Sequence, residues 1–211
     1  AGAPVPKDEL AEADPRAHWA FQVPKKMPLP GDAGNPIDVI LDDRRAARGL
    51  KTQPEAERTI LIRRLYLDLI GLPPTRAQLA DTRPWNKIVD ELLKNPQHGE
   101  RWARHWMDWV RYAESLGSEG DPRIPHANQY RNYLIRALNA DVPYNQLLRE
   151  HIAGDLLESP RINQQGRFYE SPIGTAFYRF GEVNHDDCIA LRSIGYDILA
   201  NQLDTLTKAF Q

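Results

Sequence analysis

Arg101, His105, Asp108 and Tyr112 combine side chains that hold, donate and accept protons, at offsets of i, i+4, i+7 and i+11. That spacing puts them on one stripe of a helix. An imidazole and a carboxylate one turn apart form an orienting pair suited to acid–base catalysis, as a His/Asp-dependent hydrolase would need. Directly beside them, Trp102, Trp106, Trp109, Val110 and Ala113 form an apolar stripe, so the polar stripe is expected to be half-buried. Half-buried polar groups need partners. The competing reading is therefore a hydrogen-bond network that only fixes helix packing, as in a structural interaction module. A second cluster, Asn184-His185-Asp186-Asp187-Cys188, gathers ligand-type side chains in consecutive positions. Consecutive residues entering a helix point in different directions, so at most two can share one ion. His185 and Asp186 are the metal candidates, and an aspartate N-cap explains the same run without a ligand.

Other patterns exclude chemistry. His98-Gly99-Glu100-Arg101 lacks the second histidine of a zinc-protease helix. Gly117, Gly120 and Gly154 match no phosphate-binding loop, and there is no Gly-x-Ser-x-Gly elbow. Asp141, Asp155 and Glu158 are isolated carboxylates. Arg63, Arg64, Arg101, Arg104, Arg111, Arg131 and Arg136 include several beside apolar faces, where a guanidinium needs an acid; Asp68, Asp108 and Asp141 are the natural partners.

The elements that must position these residues are helices. Residues 1–35 carry Pro4, Pro6, Pro15, Pro24, Pro28 and Pro30 and read as an extended strap. From Asn35 the pattern is helical, with Pro36 in a first turn and Gly49 as a stop. Thr52, Pro54 and Glu55 predict the start of a second helix that ends at Gly71, before Pro73-Pro74. Thr75 caps a short helix, and Trp85, Ile88, Val89, Leu92 and Leu93 make an amphipathic one stopped by Asn95-Pro96. The helix bearing the polar stripe is expected over about 99–116. Further helices follow over about 126–138, 144–153 and 187–209, with a loop-rich segment over 159–186. The fold class is all-α: an irregular multi-helix bundle over 36–211 with a proline-rich N-terminal strap.

Composition bounds the function. The chain has 211 residues and a formal net charge of −2, against a general nucleic-acid binder. Its single cysteine, Cys188, excludes an internal disulfide and any CxxC motif. No apolar run approaches the roughly 20 residues of a transmembrane helix.

Several blocks carry a family resemblance. Arg63-Arg64-Leu65-Tyr66-Leu67-Asp68-Leu69-Ile70-Gly71-Leu72-Pro73-Pro74-Thr75 is one, and Gly99-Glu100-Arg101-Trp102-Ala103-Arg104-His105-Trp106-Met107-Asp108 another. Arg111-Tyr112-Ala113-Glu114, Tyr130-Arg131-Asn132-Tyr133, Asn139-Ala140-Asp141-Val142-Pro143-Tyr144, Ala153-Gly154-Asp155-Leu156-Leu157 and His18-Trp19-Ala20-Phe21 extend it. Together they resemble the second of the planctomycete-type cytochrome c domains, found in large exported proteins.

The resemblance implies a periplasmic module of a c-type-cytochrome-associated oxidoreductase, engaged in haem-linked electron transfer on a substrate that is carbohydrate-derived. In such proteins this domain precedes a CxxCH segment, which one cysteine cannot form. The haem c is therefore expected outside this stretch, on the remainder of the polypeptide or on a separate chain, and the domain is expected to be truncated before that segment. His105 and His185 are the implied axial-ligand candidates, and Arg101 and Arg111 the partners for haem propionates.

Overall fold

The computed structural model describes residues 15–26, 34–117, 120–181 and 191–210. It is mainly helical, as the periodicity predicts, and the strands among the described residues form one short hairpin. The chain divides into two compact units, Ala1–Glu55 and Ala56–Gln211.

In the first unit, short 3-10 turns at Pro15–Ala17 and Trp19–Phe21 precede helix α1 (Pro36–Ala46). The second turn is capped by His18, whose Nδ1 accepts from the Ala20 N–H, while Trp19 and Phe21 stay exposed. Helix α1 begins where the Asn35 side chain accepts from the Ile37 N–H at 3.0 Å and Pro36 presets the first turn. Gly49, with φ +64°, ends the turn that follows it.

The second unit opens with α2 (Arg58–Leu69), later than Thr52 suggests, and residues 51–57 are irregular. Proline 54 disfavours helical geometry at the residue before it. Arg58 instead anchors the start, donating to the carbonyl oxygens of Asp81 (2.8 Å) and Arg83 and lying 4.2 Å over the Trp85 ring. Ile62, Tyr66 and Ile70 pack with Ile88 and Leu92 of α4 (Trp85–Leu93) into a small core.

Between α2 and α4, α3 (Arg76–Leu79) starts on a complete capping box. The Gln78 N–H donates to Thr75 Oγ1, and the Thr75 N–H donates to Gln78 Oε1 at 2.8 Å. Thr75→Ala is expected to cost about 1 kcal/mol, which a urea titration will read as a lower midpoint at unchanged slope. An unchanged midpoint would show that the box contributes nothing.

Helix α5 runs Pro96–Trp109, not 99–116. Asn95-Pro96 is the beginning of this helix as well as the end of the last: Asn95 Oδ1 accepts from the Gln97 N–H at 3.0 Å, with Pro96 at the first position. The far end closes when Arg111 adopts a left-handed φ of +55° and the Tyr112 N–H donates back to the Met107 carbonyl. Tyr112 therefore leaves the stripe that Arg101, His105 and Asp108 share.

Helices α6 (Ala127–Asn139) and α7 (Tyr144–Ala153) follow, then the hairpin β1 (Ile162–Asn163) and β2 (Phe168–Tyr169). Ile162 pairs with Tyr169 and Asn163 with Phe168. A 3-10 segment (Ser171–Arg179) and α8 (Leu191–Phe210) complete the order. Helix α6 packs along α5 at Gly99, whose N–H donates to Asn139 Oδ1 at 2.9 Å while Asn139 Nδ2 donates to the Pro96 carbonyl. A Cβ at Gly154 would collide with the Ser171 carbonyl, so this glycine lets the end of α7 meet the 3-10 segment. Ala103, Trp106, Tyr130, Tyr133, Leu134, Leu147, Phe177 and Phe180 form the centre of the main core.

Candidate functional site

One face of α5 is left open. Trp102, His105, Trp106 and Trp109, with Leu138 of α6 and Tyr144 of α7, line an almost wholly apolar groove of about 480 Å³. The expected apolar stripe is only partly interior: Trp106 and Val110 are buried, but Trp102 is 42% exposed and Trp109 55% exposed. A helical period identifies an apolar stripe, whereas the neighbours in space decide how much of it they cover.

His105 is half-buried in the groove wall, its ring 5.4 Å from that of Trp102. Among the described residues its imidazole has no hydrogen-bond partner. Asp108 is exposed and shares no hydrogen bond with His105, so the orienting pair of a hydrolase is not assembled in this structure. Arg101 folds over Gly71, with its Nε buried and lacking a partner among the described residues.

Arg111 turns to α8, where it donates to the Asn201 carbonyl (3.1 Å) and to Thr205 Oγ1 and lies 3.6 Å from the Asp204 carboxylate. Tyr112 donates to Glu114 Oε1 at 2.9 Å and meets the Phe180 ring edge-on. Burial, then the Glu114 carboxylate, pushes its phenol up to about 12. His185 and Asp186 lie outside the described residues.

Beneath the groove is a polar interior built from residues that the sequence does not single out, His151, Glu150 and Glu170. His151 on α7 is fully buried. Its Nδ1–H donates to the Leu147 carbonyl at 2.7 Å, which leaves Nε2 as the acceptor. Trp106 Nε1–H (3.0 Å) and the Tyr130 hydroxyl (2.8 Å) both point at that nitrogen. Burial pushes the imidazole down to about 4, against the opposing pull of the Leu147 hydrogen bond.

Next to it, Glu150 is also sealed from solvent and accepts from Tyr133 (2.6 Å), Arg161 (2.9 and 3.1 Å), Gln146 (3.1 Å) and Ser171 (2.9 Å). Burial alone would raise its carboxyl. Arg161 and the neutral donors outweigh burial and hold it below the ordinary value. Glu170 behaves the same way: burial is overcome by a two-pronged ion pair with Arg136 (2.6 and 2.8 Å) and by Asn163. Among the described residues, none of Asp68, Asp108 and Asp141 forms an ion pair with an arginine; the buried partners are glutamates. One signal was available. Leu147, Glu150, His151 and Gly154 fall at i, i+3, i+4 and i+7, the inward face of an ordinary amphipathic helix.

Among the described residues, no three His, Cys, Asp or Glu side chains gather into a set able to hold a metal ion. No described helix is long and apolar enough to cross a membrane. Architecture and site together define an all-α domain with an open tryptophan groove around a single uncommitted histidine. Residues 36–211 match the family model described as PSCyt2, protein of unknown function (DUF1549), and the chain belongs to that family. The family's name points to a cytochrome-related setting. No curated protein and no solved structure matches the chain.

Proposed function

We propose that this chain is the helical module of an exported, periplasmic, c-type-cytochrome-associated oxidoreductase. Its groove receives a haem-bearing segment of the same polypeptide or of a partner chain. The observation that carries this reading is His105, an imidazole without a hydrogen-bond partner among the described residues, set in a wall of tryptophan and tyrosine rings.

The residues fit the group. Imidazole is a good iron ligand, and the exposed faces of Trp102, Trp109 and Tyr144 suit a flat, apolar macrocycle. When bound, the haem supplies one-electron chemistry. The chain's own residues hold it and exclude water: His105 offers a ring nitrogen, and the indoles shield the apolar faces. Arg101, one turn before His105, has a guanidinium suited to a propionate. Arg111 would have to leave Asn201, Thr205 and Asp204 to play that part. His185 would be an alternative residue to hold the iron and, with Asp186, a metal candidate. The carbohydrate-derived substrate rests on the family resemblance.

The test is the visible spectrum of the full native polypeptide, with and without His105→Ala. A c-type α-band in the wild type, and a change from low-spin to high-spin iron in the variant at unchanged circular dichroism, is expected. A native protein without a Soret band, or a variant with an identical spectrum, would overturn the assignment.

A further inference from the structure

A second open face lies on the smaller core. Leu61, Leu65, Trp85 and Val89, from α2 and α4, line an apolar groove of about 350 Å³, and the one charged group in its wall is Asp68. Leu61, Leu65 and Asp68 recur at i, i+4 and i+7, a stripe of α2 to one side of the Ile62, Tyr66 and Ile70 face that packs inside. The four apolar side chains are half-buried, so the small core leaves each of them partly in water. Asp68 is exposed and has neither an ion pair nor a hydrogen bond among the described residues. Arg64, one turn earlier on the same helix, is equally uncommitted. A base one turn before an acid is the less favourable order for pairing within a helix. Arg58, the cation beside Trp85, is already held by the carbonyl oxygens of Asp81 and Arg83. An occupant of this groove must therefore bring an apolar ridge, a cation for Asp68 and an anion for Arg64. The chain carries that combination itself, on α2.

We infer that the α2/α4 face is a homodimer surface, on which a second copy of this chain docks with its α2 antiparallel to the first. A two-fold axis beside α2, level with residue 66, places Arg64 of each copy opposite Asp68 of the other, so the same contact is made twice. The two Leu65 side chains meet near the axis, and each Leu61–Leu65 ridge enters the other copy's groove beside Trp85 and Val89. This packing removes apolar area from water on both copies. The paired charges fix the antiparallel arrangement, because a parallel one would set Asp68 against Asp68 and Arg64 against Arg64. A face two helices wide gives a dimer that forms with rising concentration rather than an obligate one. No residue lines both this face and the tryptophan groove, so the interface stands independently of the haem assignment.

Sedimentation velocity of the 211-residue chain at rising concentration reads the dimer. The wild type is expected to pass from monomer to dimer. Arg64→Asp leaves only acids at these two positions and Asp68→Arg only bases. Each variant alone is expected to self-associate about tenfold more weakly than the wild type, because symmetry applies every charge change twice. Mixed in equal amounts, the two variants carry opposite charges and are expected to form a heterodimer at wild-type strength. Leu65→Glu, which puts a carboxylate at the axis, is expected to stay monomeric with an unchanged circular dichroism spectrum. If it fails to fold, the mixing experiment at the two exposed charges decides. A wild type that stays monomeric to millimolar concentration, a mixture that associates no better than either variant alone, or a dimer that survives Leu65→Glu overturns the interface. Each of these leaves the haem assignment standing, because that assignment is read from the visible spectrum.

Discussion

Glu150→Ala is expected to lower the unfolding free energy by about 3–5 kcal/mol, the range for removing one partner of a buried ion pair. Alanine leaves the Arg161 guanidinium without its anion and strips Tyr133, Gln146 and Ser171 of a shared acceptor. Each orphaned donor then carries its desolvation penalty. For a chain of this size the loss corresponds to a fall in Tm on the order of 10 °C. Glu150→Gln keeps the volume and one acceptor and should fall between the two. Thermal melts followed by circular dichroism check the series. A fall of only a degree or two for Glu150→Ala would mean that Arg161, itself a quarter exposed, simply turns to water.

A buried pair of this kind need not outdo hydrophobic packing in stability. What Glu150 ties together is α6 through Tyr133, the hairpin approach through Arg161 and the 3-10 segment through Ser171.

The second large effect is a loss of stability in mild acid. His151 is held at about 4 in the folded protein, against an ordinary value of about 6.5 unfolded. The unfolded chain therefore binds the proton first as pH falls. The contribution of His151 is fully present above about pH 6.5 and declines as pH falls toward 4. The total is about 3 kcal/mol, the free-energy equivalent of that shift. Glu150 and Glu170 are also held below their ordinary values, so their contributions are lost at still lower pH, as the folded carboxylates take up protons. Urea midpoints from pH 7.5 to 4 should fall by an amount that His151→Gln removes, at the cost of lower stability at neutral pH. A flat wild-type midpoint across pH 6.5–4.5 would show that the imidazole is not kept neutral by burial.

Local signals in the sequence located most helices because their causes are local. Thr75, Asn35 with Pro36 and the stripe from Trp85 to Leu93 each act within a turn or two, and each is where it is expected. Thr52 failed for a non-local reason, since Arg58 finds its partners on Asp81, Arg83 and Trp85. The end of α5 was hidden because an arginine, not a glycine, takes the left-handed position. His105 could be singled out by residue type, but not the exposure of the tryptophans around it. The inward placing of Glu150 and His151 follows from the helical period, but not their partners. Trp106 lies 45 positions from its acceptor and Ser171 21 from its acid, and no helical period encodes such pairings.

Trp106 places an uneven evolutionary constraint on the groove. At positions 102 and 109 another flat ring would preserve the walls. At position 106, phenylalanine would keep the floor apolar but remove the indole N–H that donates to His151 Nε2, leaving the Tyr130 hydroxyl there. Change is thus freest at the rim, whereas a change at the floor also rewrites the hydrogen bonding of the imidazole below it.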